Sequence, residues 1–192
     1  MTDRPQARTA AAYVLHVGYG NNGVASTTGF IRDRDRLIVT DPGMVRDRSL
    51  ILGPLRLLGV APGDVTDVVF SHHHPDHTLN AALFPDARVH DHWAIYQGDE
   101  WVWRDAEGYE LTSAVRLIRT PGHTAEDITV LAGTVEGVIA YTHAWNDAGS
   151  TGDRHAQDMV ALHISRSRVL AAADVIVPGH GPRFVPDRRT PP

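Results

Sequence analysis

Apolar residues in this chain come in short runs, each closed by Gly, Pro or charge, the pattern of a strand-rich protein with a few helices. Residues 13–19 read as a strand. Residues 26–31 and 36–40 read as a hairpin around the charged turn Arg32-Asp33-Arg34-Asp35. Residues 46–58 predict an amphipathic helix stopped by Gly59, and the apolar run 65–70 predicts a buried strand. A helix opening at Pro75 and reaching Leu83 follows, then a short strand at 87–90 and another at 114–119. Residues 128–131 and 138–141 read as paired strands. A long helix over 155–173 carries Met159, Leu162, Val169 and Leu170 on its apolar face, and a strand at 174–177 closes the pattern. Residues 1–10 are expected to be a loose tail. Residues 91–111, with Trp93, Tyr96, Trp101, Trp103 and Tyr109, read as an irregular insert, either packed for its own sake or serving as a lid over a site. The whole, residues 1–192, fits a single domain.

Chemistry concentrates where the strand at 65–70 ends, in Ser71-His72-His73-His74-Pro75-Asp76-His77. In an extended segment alternate residues share a side, so His72 and His74 can point together. Asp76 and His77 then project from a helix start. Neutral imidazole and carboxylate are donors suited to zinc or iron, and H-x-H-x-D-H directly after an apolar strand is far more restrictive than a lone His pair. The chain has no cysteine, so disulfides and thiolate ligands are excluded and any metal must be held by His and carboxylate. Its 18 Lys+Arg against 23 Asp+Glu give a formal charge of −5, which offers no general attraction to nucleic acid or anionic membrane. No apolar run approaches a membrane span and residues 1–12 lack a secretion-type hydrophobic segment, so the expected location is cytoplasmic. Among the other histidines, His16, His90 and His92 are expected to be structural, and His155 and His163 to lie on the surface or in packing.

The stretch 71–77 resembles the first metal motif of the metallo-β-lactamase superfamily. Three further segments resemble that family's later motifs in the same order: Asp41-Pro42-Gly43 after the second hairpin strand, Thr120-Pro121-Gly122-His123-Thr124, and Pro178-Gly179-His180-Gly181. The resemblance spans about Tyr13 to His180. It implies an α/β fold, the αββα four-layer sandwich of two mixed sheets with outer helices. It implies that His72, His74 and His123 hold one metal, that Asp76, His77 and His180 hold another, and that Asp41 orients a ligand from behind. The expected cofactor is zinc, as two ions, with iron or manganese as alternatives. One departure stands out. Where most members end a strand in Gly-Asp, the Asp bridging the metals, this chain has Thr142-His143. His143 is expected either to act as an extra terminal ligand, leaving a weaker second site, or to turn away; Asp147 is the nearest acid that a loop could bring back.

The resemblance implies hydrolysis by water activated at the metals, with Asp76 orienting that water and passing its proton on. The expected substrate is a small-molecule ester, thioester or lactone. The chain is expected to lack the added helical domain of the glutathione thioesterases and the arms of the large nucleic-acid-processing branch. Segments 165–170 and 173–182, with Phe184, resemble a branch associated with RNA cleavage, which keeps a phosphodiesterase as an alternative. A β-lactam hydrolase and a metal-binding protein without hydrolase activity are the others. Expected partners are a small-molecule substrate and at most a second copy of the chain as a homodimer, with no nucleic acid and no membrane.

Overall fold

A computed structural model describes residues 3–192. Twelve strands form two mixed sheets. The larger runs β1 (Ala11–His16), β2 (Thr28–Asp33), β3 (Arg36–Thr40), β4 (Asp67–Val69), β5 (Arg88–His90), β6 (Ala94–Gln97) and β7 (Glu100–Trp103) in spatial as well as chain order. The smaller runs β12 (Val175–Val177), β11 (Gly137–Tyr141), β10 (Ile128–Thr134), β9 (Val115–Arg119) and β8 (Glu110–Thr112). Helix α1 (Ser49–Leu57) covers the outer face of the first sheet and α3 (Met159–Ala172) that of the second; α2 (Pro75–Thr78) is a single turn at the sheet edge.

The layering follows from the period-2 alternation of strand side chains. In the larger sheet Phe30, Val39 and Val68 pack outward with Ile51 and Leu55 of α1. Their strand neighbours Ile31, Ile38 and Val69 point inward, where they meet Val115, Leu117, Val130, Ile139 and Val177 of the smaller sheet. The remaining face of that sheet, with Ile118, Leu131, Ala140 and Ile176, packs on Leu162, Val169 and Ala172 of α3. Three apolar layers between four structural ones make the αββα sandwich.

Boundaries moved for local reasons. The predicted helix at 155–173 begins only at Met159, because the Asp158 carboxylate accepts the amides of Val160 and Ala161 and caps it. The helix from Pro75 stops after one turn and resumes as a 3-10 turn at Ala81–Leu83. Two expectations need correction. From Asp3 onward the tail is tied down rather than loose, residues 1 and 2 lying outside the described residues: the Ala7 amide donates to Ser113 O at 2.9 Å, Ala10 to Gly133 O at 3.1 Å, and Asp3 pairs with Arg168 at 2.7 Å. The segment 91–111 is not irregular. It carries the hairpin β6–β7, with Tyr96 opposite Trp101 and Ala94 opposite Trp103, and enters β8.

Candidate metal centre

Strand directions bring the chemistry to one edge. β3 and β4 are parallel, so Asp41 and the segment 71–77 leave the larger sheet on the same side. In the smaller sheet β10 runs against both β9 and β11, and β12 runs parallel to β11, so residues 120–123, His143 and His180 also share one edge. The loop after β3 clamps the motif: Gly43 N–H donates to His77 O at 3.0 Å, and Met44 and Ser26 amides both donate to Asp76 O at 3.1 Å. Gly43 has φ +55, and a Cβ there would lie 2.2 Å from Ser26 Oγ and 2.6 Å from Asp76 O, so the turn requires glycine. Gly179 matters for closeness instead, since a Cβ would meet the His143 ring at 2.5 Å.

All six imidazoles named from the sequence converge. His72 Nε2 lies 2.9 Å from His74 Nδ1, and His123 Nε2 lies 3.0 Å from the same atom. Asp76 Oδ2 is 3.5 Å from both His77 Nε2 and His180 Nε2. His143 Nε2 is 3.1 Å from His180 Nε2. Two groups have donor atoms close enough to share an ion, His72 with His123 and His143, and His77 with His143 and His180. His143 is common to both; it has not turned away. Asp147 belongs to neither, its Oδ1 accepting Gly149 N–H and the Ser150 hydroxyl of its own turn.

Four of the six rings have their outer nitrogen committed to the protein, while His143 Nδ1 is buried without a partner. His77 Nδ1–H donates to Asp41 Oδ2 at 2.9 Å, His123 Nδ1–H to Asp153 Oδ2 at 2.6 Å, and His180 Nδ1–H to Ala25 O at 2.9 Å; His72 Nδ1 lies 3.0 Å from Ser71 Oγ. Asp41 is held for this by φ +45 and by Ser71 N–H on its other oxygen at 2.7 Å. A neutral imidazole carries one proton, so with that proton outside, the inner nitrogen presents a lone pair. Lone pairs facing one another at 2.9–3.0 Å repel unless a cation lies between them. His77 Nε2 is buried with no hydrogen-bond partner, as an orphaned donor awaiting a ligand would be. Burial, then the neighbouring imidazoles, hold His72 and His143 well below the usual histidine range, whereas at His123 burial is outweighed by the Asp153 hydrogen bond and nearby carboxylates, which raise it. This donor set fits divalent metal.

Two supporting carboxylates escaped sequence reasoning. Asp153 sits near pKa 2: burial would raise it, and the hydrogen bonds from His123 and the His155 amide pull it down. Asp127, 3.9 Å from His72, is pushed up by burial to about 6 against hydrogen bonds from Thr124. An Asp in a Gly-rich loop carries no spacing signal, and Asp127 reads as an ordinary strand-start residue. The structural readings of His90 and His92 agree with their contacts, to Asp67 at 2.8 Å and Arg119 at 2.7 Å.

Beside the imidazoles opens a cavity of about 970 Å³, walled by residues 18–21, Val24, six residues from Asn146 to His155 and 180–182 along with His74, Asp76, His123 and His143. Trp93 and Trp103 line a separate cavity of about 390 Å³, so the aromatic hairpin is not the wall of the metal centre. No helix of the described residues is long and apolar enough to cross a membrane.

The sequence pattern of the metallo-beta-lactamase superfamily matches residues 21–191. Human metallo-beta-lactamase domain-containing protein 1 is 38% identical over 156 residues, covering 77% of this chain and 59% of that protein, so the chain spans under two thirds of that relative's length. A metallo-beta-lactamase crystal structure from Thermotoga maritima superposes with TM-score 0.77 at 23% identity, covering 93% of this chain and all of the other. An N-acyl homoserine lactone hydrolase with its product bound at the catalytic metal centre superposes with TM-score 0.66 at 16% identity, over 94% of each chain. These two likenesses are of fold.

Proposed function

This chain belongs to the metallo-beta-lactamase superfamily, and from that membership we propose that it is a zinc-dependent hydrolase of small-molecule esters, thioesters or lactones. The observation that carries this reading is the convergence of six imidazoles and Asp76 at one sheet edge, four of the rings lining one cavity, with the outer nitrogens of His72, His77, His123 and His180 anchored on the protein. His72, His74 and His123 hold one ion in this reading; Asp76, His77 and His180 hold the other. His143 is a ligand in place of the usual bridging carboxylate. A neutral ring contributes no charge to offset two dications, so the second ion binds more weakly.

Bound zinc supplies Lewis acidity and lowers the pKa of water into the neutral range. The chain's part is positional. Asp76 is the one carboxylate set between the inner nitrogens of His77 and His180, placed to orient the attacking water, accept its proton at Oδ2 and return it to the leaving group. Asp41, Asp153 and Ala25 O fix the imidazole tautomers and so the directions of the lone pairs. A wall with a single guanidinium, Arg154, supports a small substrate over a polyanion, which needs a basic track.

A panel of chromogenic esters, a thioester, lactones, a cephalosporin and a phosphodiester, run with and without chelator, tests this. The expected result is ester or lactone turnover abolished by chelator and restored by zinc. Turnover of the phosphodiester alone would overturn the substrate class. Silence on every substrate with metal bound would overturn the hydrolase.

A further inference from the structure

Six residues of the strip 146–155 line one wall of the cavity, and the placement of the strip is fixed from three sides. Asn146 O accepts the His180 amide at 2.8 Å, and Asp153 accepts from His123 at 2.6 Å, so both ends of the strip are bonded to residues of the centre itself. From beneath, the fully buried Arg166 of α3 donates to Ala144 O at 2.7 Å and Thr151 O at 3.1 Å. This strip presents Arg154, among the described residues the only Arg or Lys lining the cavity, directly beside the Asp153 that orients His123. Its Nε donates to the neighbouring His155 Nε2 at 2.9 Å, both side chains being exposed. Among the described residues Arg154 makes no ion pair, and neither Nη atom has a protein acceptor. Arg4, Arg168 and Arg183 are each closed by a carboxylate, while the exposed Arg34, Arg46, Arg48 and Arg56 share the open state of Arg154 but line no cavity beside the imidazoles. The one other acid in the strip, Asp147, is occupied by its own turn.

A guanidinium held through Nε with its Nη pair open is shaped for two parallel bonds to a carboxylate. The rest of the strip, Asn146, Ser150 and His155, is polar, and offers little to an acyl chain. We infer that Arg154 is the specificity residue of the site and that the substrate carries a carboxylate, held by the Nη pair while its scissile carbonyl lies at the imidazoles. This rests on the hydrolase reading above and adds the substrate's charge to it.

Calorimetric binding of glutarate and of acetate to zinc-loaded protein tests it without turnover, since both can reach metal and only glutarate can also reach Arg154. The expected result is glutarate binding about tenfold or more tighter than acetate, from one added charge-assisted hydrogen-bonded pair. That preference should vanish in Arg154→Ala and survive in part in Arg154→Lys, with acetate affinity alike in all three. Wild-type protein binding the two anions equally would overturn the inference, as would Arg154→Ala weakening both by the same factor. In a second arm, Arg154→Ala should lower the ratio of kcat/KM on an ester bearing a remote carboxylate to that on its neutral analogue. If neither ester turns over with metal bound, the hydrolase reading fails, and the binding arm alone then decides Arg154's role.

Discussion

Two regions of this molecule use the same pair of groups, a buried Asp against a His, to opposite ends. In the middle of the larger sheet Asp67 accepts from His90 at 2.8 Å, and its oxygens are shared with both Arg88 nitrogens at 3.0 and 2.6 Å, Arg36 at 3.3 Å and the Thr66 hydroxyl at 2.7 Å. At the sheet edge Asp153 accepts from His123 at 2.6 Å and Asp41 from His77 at 2.9 Å. The difference lies in the second nitrogen. His90 Nδ1 faces no other imidazole or carboxylate and His90 joins no group able to hold an ion, whereas the inner nitrogens of His77 and His123 meet those of other strand ends at a cavity. An Asp–His pair is therefore a fastening in one place and an aiming device in the other, decided by what the far side of the ring meets.

Substitutions should separate the two. His123→Ala is expected to lower kcat/KM on the order of 10³-fold or more and to reduce bound zinc, with a smaller change in melting of the metal-free protein. Asp67→Ala should do the reverse. Leaving the buried His90 and the half-buried Arg88 without their acceptor costs about 3–5 kcal/mol in denaturant unfolding, while zinc per folded chain stays unchanged. Asp153→Asn keeps the shape but removes the charge that His123 leans on, and is expected to weaken zinc affinity about 10–100-fold in a chelator competition.

The fastening also has a pH signature. Burial alone would raise the Asp67 carboxyl, yet hydrogen bonds from His90 and Thr66 and the Arg88 charge bring it down to about 2 from an ordinary 3.8. A depressed acid stabilises fully above its unfolded value and loses that contribution as pH falls toward the folded one. The stability advantage of wild type over Asp67→Asn should therefore shrink by about 2 kcal/mol between pH 4 and pH 2, followed by urea melts at each pH. The smallest effect belongs to neither region: Trp103→Ser, on the 70%-exposed end of the aromatic hairpin, should change stability by no more than about 0.5 kcal/mol and leave hydrolysis intact.

The centre was legible in the sequence to the extent that its residues sit at strand ends, where an apolar run stops and a short polar motif begins. Asp41 was legible for the same reason. Asp153 was not, because its partner is 30 residues away and nothing periodic marks a loop acid. Asp67 and His90 read as ordinary strand residues, their pairing set by the parallel register of β4 on β5. The tail and the aromatic hairpin misled for a shared cause. Neither shows alternation strong enough to announce a strand, and both are ordered by pairing with distant backbone.

Zinc titration of demetallated protein against a chromogenic chelator, with metal per chain counted by mass spectrometry, tests the central claim most directly. Two ions per chain in two resolved steps, the weaker strengthened in His143→Asp, is the result predicted by an imidazole standing where a bridging acid would be. Fewer than one tightly held ion per chain under zinc-replete conditions would contradict it.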